Sequence, residues 1–168
     1  MQLLLLRHAI AEDREAFART GRDDRLRPLT DEGRKKLRKA ARALASLVPD
    51  LALVATSPLA RARESAEIVT RELGKKPVLS EVSDLAPDGD LAGVVKFLQA
   101  QKALPAVALV GHEPNLSELA GLLLTGKERS FIELRKGGAC LIDFPGRLTP
   151  GAAVLLWHMR PSQLRELG

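Results

Sequence analysis

A chain of 168 residues with 45% hydrophobic and 28% charged side chains has the size of one domain with a substantial core, and that composition excludes a disordered polymer. The net charge of +5 permits an anionic partner, but with no tyrosine, one tryptophan and four phenylalanines the chain lacks the stacking platforms of single-strand binders, so nucleic acid is not expected. The single cysteine, Cys140, excludes an internal disulfide and a thiolate zinc site, and the four leucines near the N-terminus are too few for a signal segment or a membrane span. The expectation is one domain over residues 1–168, cytoplasmic by default.

The first element is Gln2-Leu3-Leu4-Leu5-Leu6, an unbroken apolar run that reads as a buried parallel-type strand and stops at Arg7-His8-Ala9. Open α/β sheets place their chemistry at such carboxyl ends. A long polar connection from Ile10 to Pro28 follows, carrying Arg14, Arg19, Arg22, Arg25 and Arg27. Most of these read as solvated loop charges; Arg27 stands apart because Pro28-Leu29-Thr30 and the next helix fix its position. That helix takes Thr30 as N-cap, buries Leu37, Ala41, Leu44 and Val48 at helical spacing, and turns Lys35, Arg38, Lys39 and Arg42 outward. The outward face reads as solvated, or as a docking surface for an acidic protein.

Leu51 to Ala55 is the second apolar strand and runs into Thr56-Ser57-Pro58. Ser57 with Pro58 predicts an N-cap hydroxyl and a proline at the first helical position, for a helix over Leu59 to Leu73 with Arg61 in its first turn. Lys76 to Leu79 is a short strand leading into an acidic, turn-rich segment from Glu81 to Asp90; Leu91 to Ala100 is a helix. The third buried strand, Pro105 to Val110, ends in Gly111-His112-Glu113-Pro114, again with a helix beyond it. Past Gly126, strands at Ala139–Phe144 and Ala152–Met159 form a hairpin that completes the sheet. Cys140 reads as a small buried side chain, and Trp157 and His158 as structural or surface residues. The fold class is α/β: a three-layer α/β/α sandwich with a mostly parallel central sheet and a C-terminal antiparallel hairpin.

Arg7, Arg61, His8 and His112 therefore meet at one sheet edge. Guanidinium forks match phosphate oxygens, and helix N-termini add N–H groups, so the set points to a phosphoryl pocket. Metal binding is disfavoured, because the arginines repel a cation and no His-x-x-x-His or paired carboxylate accompanies the histidines.

Arg7-His8-Ala9, Leu29-Thr30-x-x-Gly33, Ser57-Pro58-x-x-Arg61-Ala62 and Gly111-His112-x-Pro114-x-Leu116, in this order, resemble the histidine phosphatase (phosphoglycerate mutase-like) superfamily, and within it the short bacterial phosphohistidine phosphatases of the SixA type. The resemblance extends to Trp157-x-Met159-x-Pro161. It implies that His8 is the nucleophile, that Arg7 and Arg61 hold phosphate, and that His112 acts electrostatically. Arg27 matches an arginine that joins the phosphate site. Ala9 replaces a common glycine, which alanine tolerates unless that position needs positive φ. Asp84 matches the general-acid position, with Glu81, Asp88 and Asp90 as contenders. The implied activity is metal- and cofactor-independent hydrolysis through phospho-His8, acting on a phosphorylated protein such as a phosphohistidine phosphotransfer domain. A small phosphate ester, hydrolysed or isomerised by a phosphomonoesterase or mutase, is the alternative; a non-catalytic phosphate-binding docking module would have no use for His8.

Overall fold

The computed structural model describes residues 1–168. Six strands form one sheet: β1 (Gln2–Arg7), β2 (Leu51–Thr56), β3 (Val78–Glu81), β4 (Ala106–Gly111), β5 (Ala139–Asp143) and β6 (Val154–Met159), in the order β3-β2-β4-β1-β5-β6. The first four in that order are parallel, and β5 and β6 are antiparallel additions. Leu3, Leu4, Leu5 and Leu6 are each 0% exposed, because β1 lies between β4 and β5 and is covered on both faces. An apolar run without alternation is the sequence mark of that position.

Alternate strand residues feed two cores. Leu4, Leu6, Val54, Ala108 and Val110 pack on α2 (Asp31–Leu47), α3 (Ala60–Glu72) and the C-terminal α6 (Pro161–Leu167). Leu3, Leu5, Val107, Leu109 and Cys140 pack on α4 (Leu91–Ala100) and α5 (Asn115–Thr125). The result is the expected three-layer sandwich. Cys140 lies in the second core, where burial pushes its thiol up to about 12. Trp157 packs partly buried against the first core, while His158 is exposed.

Three elements depart from the expectations. The Ile10–Pro28 connection contains the short helix α1 (Arg14–Ala18) and a 3-10 turn over Asp24–Leu26. Both begin at an aspartate cap, Asp13 and Asp23, whose carboxylate accepts a backbone N–H. Helix α3 starts at Ala60 after Leu59, with no side-chain cap. Ser57 lies ahead of that cap; its hydroxyl accepts from Leu59 N at 3.3 Å and lies 2.9 Å from His112 Nε2. Helix α6 buries only Leu164, too little for a periodic pattern, and Pro161 at its first position is its sequence mark.

Helix α2 is docked beside the end of β1. Thr30 caps it, accepting from Gly33 N at 2.9 Å, and the Thr30 N–H and hydroxyl both donate to Ile10 O. A Cβ on Gly33 would collide with that same Ile10 carbonyl, so the glycine serves close backbone approach two residues past His8. Gly33→Ala should cost about 1–3 kcal/mol of stability through overpacking, read from the denaturant midpoint; an unchanged midpoint would show that the helix can shift without loss.

Candidate active site

The parallel register sets the site. Arg7 stands opposite Gly111, and Thr56 opposite Val110, so β1, β4 and β2 end side by side. The alignment continues past the strands: His8 N donates to Gly111 O and Ser57 N to Val110 O, both at 3.0 Å. Helix α3 then places Arg61 in its first turn, and the 3-10 turn delivers Asp24 and Arg27. Arg7, His8, Arg27, Arg61 and His112 line one cavity of about 280 Å³. Sequence reasoning named all five. A larger cleft of about 550 Å³ lies at the opposite end of the strands, beside Met1 and Phe144, and holds none of them.

His8 is 5% exposed, and its Nδ1 lies 2.7 Å from Ala9 O. A carbonyl only accepts, so Nδ1 carries the hydrogen and Nε2 keeps a lone pair. Burial lowers the imidazole pKa to about 3, with the charges of His112, Arg61 and Arg7 adding to the effect against the Ala9 hydrogen bond. The nucleophile candidate is thus neutral. Ala9 N donates to Ser65 Oγ at 3.0 Å, and Ser65 donates to Arg61 O, which ties the strand end to α3. No positive φ is required at Ala9, so the alanine fits.

His112 lies with its ring centroid 5.1 Å from that of His8, and its Nε2 is 2.9 Å from Ser57 Oγ. Burial, then Arg61, Arg7 and Arg27, lower its pKa to about 4.

Each guanidinium is held along one side. Arg7 Nη1 donates to Leu134 O at 2.9 Å, Arg27 Nη1 to Glu12 O at 2.8 Å, and Arg61 Nη1 to Asp24 O at 3.0 Å. Arg7 Nε and Arg61 Nε are buried without an acceptor. Buried N–H groups are seldom left unpaired, because desolvation costs about 1–3 kcal/mol each.

The acidic residues differ from expectation. Asp84 sits on a 3-10 turn over Ser83–Leu85, outside the cavity, with its carboxyl packed over Gly93 of α4, where a Cβ would collide with it. Glu81 faces Arg63 at 4.0 Å, Asp90 caps α4 at Ala92 N, and Asp88 lines a neighbouring cleft. The carboxylates that do line the cavity are those of Asp24 and Glu113. Burial pushes the Asp24 carboxyl up, but the Arg27 hydrogen bond and the Arg61 charge outweigh it and hold it below its ordinary value. Glu113 is raised by burial, against hydrogen bonds from Ser117 and Leu134 N and the charge of Arg7. Its Oε2 lies 2.5 Å from Ser117 Oγ and its Oε1 3.1 Å from Leu134 N, so both oxygens are engaged. Both residues had a sequence signal: Asp24 lies three before Arg27, and Glu113 follows His112 and precedes Ser117 by four. Arg14 and Lys136 add further cations to the wall. No group of three or more His, Cys, Asp or Glu is placed to hold a metal ion, and no helix is long and apolar enough to cross a membrane.

Residues 3–84 match the family model described as histidine phosphatase superfamily (branch 1). An uncharacterized protein of Picosynechococcus is 37% identical over 141 residues, covering 82% of each chain. The phosphohistidine phosphatase SixA of Escherichia coli is 26% identical over 167 residues, 98% of this chain and 97% of that one. A solved structure of the protein histidine phosphatase SixA complexed with tungstate superposes with a TM-score of 0.82 at 25% identity, over 98% of this chain and 99% of that one. The chain belongs to the histidine phosphatase superfamily.

The buried neutral histidines make stability depend on pH. A free imidazole titrates near 6.5, whereas His8 and His112 titrate near 3 and 4. Between these values the unfolded chain binds protons that the folded chain refuses, so stability falls as pH falls, by about 1.4 kcal/mol per pH unit for each histidine. Denaturant titrations from pH 7 to 4.5 should show this slope in the parent and a shallower one in His8→Gln; equal slopes would mean that His8 is not held neutral by the fold.

Proposed function

We propose that the protein is a phosphatase that carries the phosphoryl group transiently on His8, and that its substrate is phosphohistidine borne on a protein. The observation behind this reading is the shared cavity of a neutral imidazole with a free Nε2 lone pair and guanidiniums whose inner N–H groups the protein leaves unsatisfied.

In the first step His8 Nε2 forms a bond to phosphorus while the bond to the leaving group breaks. Arg7, Arg61 and Arg27 hold the phosphoryl oxygens, their planar forks matching the charge that spreads over them in the transition state. A phosphoryl dianion also reverses the balance at His112, favouring its cationic form and a hydrogen bond to the transferred group. In the second step water attacks phosphorus, the bond to His8 breaks, and inorganic phosphate leaves with His8 neutral again. No step calls for a metal ion, since the guanidiniums supply the positive charge.

Two features of the cavity favour phosphohistidine over an alkyl ester. Of its eleven lining residues one is hydrophobic, so little apolar wall is present to grip an organic leaving group, and selectivity falls to surfaces outside it. The cavity also offers no free carboxylic acid. Asp24 is held ionised by guanidiniums, Glu113 has both oxygens engaged, and Asp84 lies elsewhere. An alkoxide needs a proton donor to depart, whereas a histidine already protonated on its ring leaves as neutral imidazole. Lys136 and Arg14 at the wall add positive charge that attracts an acidic phosphoprotein, an effect that weakens with salt.

The test is kcat/KM on a phosphohistidine-bearing phosphotransfer domain against sugar phosphates, phosphoglycerates and nucleotides at matched ionic strength. The phosphoprotein should exceed every alkyl ester by at least about a hundredfold, the order of a lost general acid. A small ester that wins would overturn the substrate and leave the His8 chemistry standing.

A further inference from the structure

Arg27 and Arg61 come from separate parts of the chain, the loop before α2 and the first turn of α3, and one residue touches both. Asp24 Oδ1 accepts from Arg27 Nε at 2.7 Å; Asp24 Oδ2 lies 3.2 Å from Arg61 Nη1, and the Asp24 backbone carbonyl accepts from the same Nη1 at 3.0 Å. We infer that Asp24 is the positioning residue of the phosphoryl clamp, an internal counter-anion that joins Arg27 and Arg61 into one unit and docks the Ile10–Pro28 loop onto the site.

Which N–H groups it takes separates this role from that of a carboxylate occupying the substrate's place. Asp24 engages Nε of Arg27 and Nη1 of Arg61, and Glu12 O takes Nη1 of Arg27. Nη2 of both arginines stays free, as does the buried Nε of Arg61. The carboxylate therefore holds the clamp from one side and leaves donors for an incoming oxyanion. It also answers an electrostatic problem. Two guanidiniums beside a third on Arg7 repel one another in a partly dehydrated cavity, and one shared carboxylate lowers that cost while fixing both side chains in register. The 3-10 turn gives this carboxylate a rigid base. Asp23 caps the turn by accepting from Arg25 N at 2.9 Å, and the Arg27 N–H donates to Asp24 O at 3.1 Å, so Asp24 and Arg27 lie on one tight, internally bonded turn. The Asp24 side chain is 37% exposed, so little of the folded core depends on it.

The inference rests on the reading of this cavity as a phosphoryl site, and the experiment keeps the two apart. Tungstate affinity, kcat/KM on the phosphohistidine protein and melting temperature are measured for the full chain and for Asp24→Asn, Arg27→Ala and the double variant. Asp24→Asn keeps the shape and removes the charge; it should lose about ten- to a hundredfold in both tungstate affinity and kcat/KM, the scale of a hydrogen bond to a charged group, while melting within about 3 °C of the parent. The double variant should fall short of the product of the two single losses by about threefold or more, because part of the Asp24 effect passes through Arg27. Tighter tungstate binding by Asp24→Asn would make the carboxylate a competitor and overturn the inference. So would losses that multiply in the double variant, or a fall of about ten degrees in melting temperature, which would assign Asp24 to the fold. If the parent hydrolyses nothing and binds no tungstate, the phosphoryl-site reading fails and the inference falls with it.

Discussion

The structure depends on keeping one imidazole neutral in the midst of cations. Phosphoryl binding calls for positive charge, and nucleophilic attack calls for an unprotonated nitrogen beside it. Burial at the end of β1 meets the second demand, lowering His8 to about 3, and the guanidiniums that meet the first reinforce it. The Ala9 carbonyl decides which nitrogen keeps the lone pair. Because that acceptor is backbone, the tautomer is set by the path of the chain after β1 and not by a side chain that could rotate away.

The same constraint explains the arrangement around the sheet. Three parallel strands must end level for Arg7-His8, Ser57 and His112 to meet, and their register does this. Gly33 and Thr30 hold α2 against Ile10, Ser65 fastens Ala9 to α3, and Leu134 accepts from Arg7 while donating to Glu113. Each of these contacts fixes a backbone or a guanidinium next to the imidazole.

Much of this is legible in the sequence because it is carried by local pattern. Buried strands announce themselves as apolar runs, α2 by the spacing of Leu37, Ala41, Leu44 and Val48, and Arg7, His8, Arg61 and His112 by their place at strand ends or helix starts. What is not legible depends on tertiary partners. Ser57-Pro58 has the form of a helix cap, yet a buried hydroxyl beside His112 finds its partner there, and α3 starts later without a cap. Asp84 follows the short strand as an acid should, but the 3-10 turn lays its carboxyl on Gly93 of α4. The spacing of Asp24 three before Arg27 is legible, but only the folded chain brings Arg61 to the same carboxylate.

The central claim is that His8 Nε2 takes the phosphoryl group, and the most direct measurement is a rapid quench of the reaction with labelled phosphohistidine protein, followed by mapping of the label on the phosphatase. The expected result is a phosphoryl adduct on His8, stable in alkali and lost in acid, that is absent from His8→Ala along with turnover. An adduct on another residue, or full turnover by His8→Ala, would contradict it.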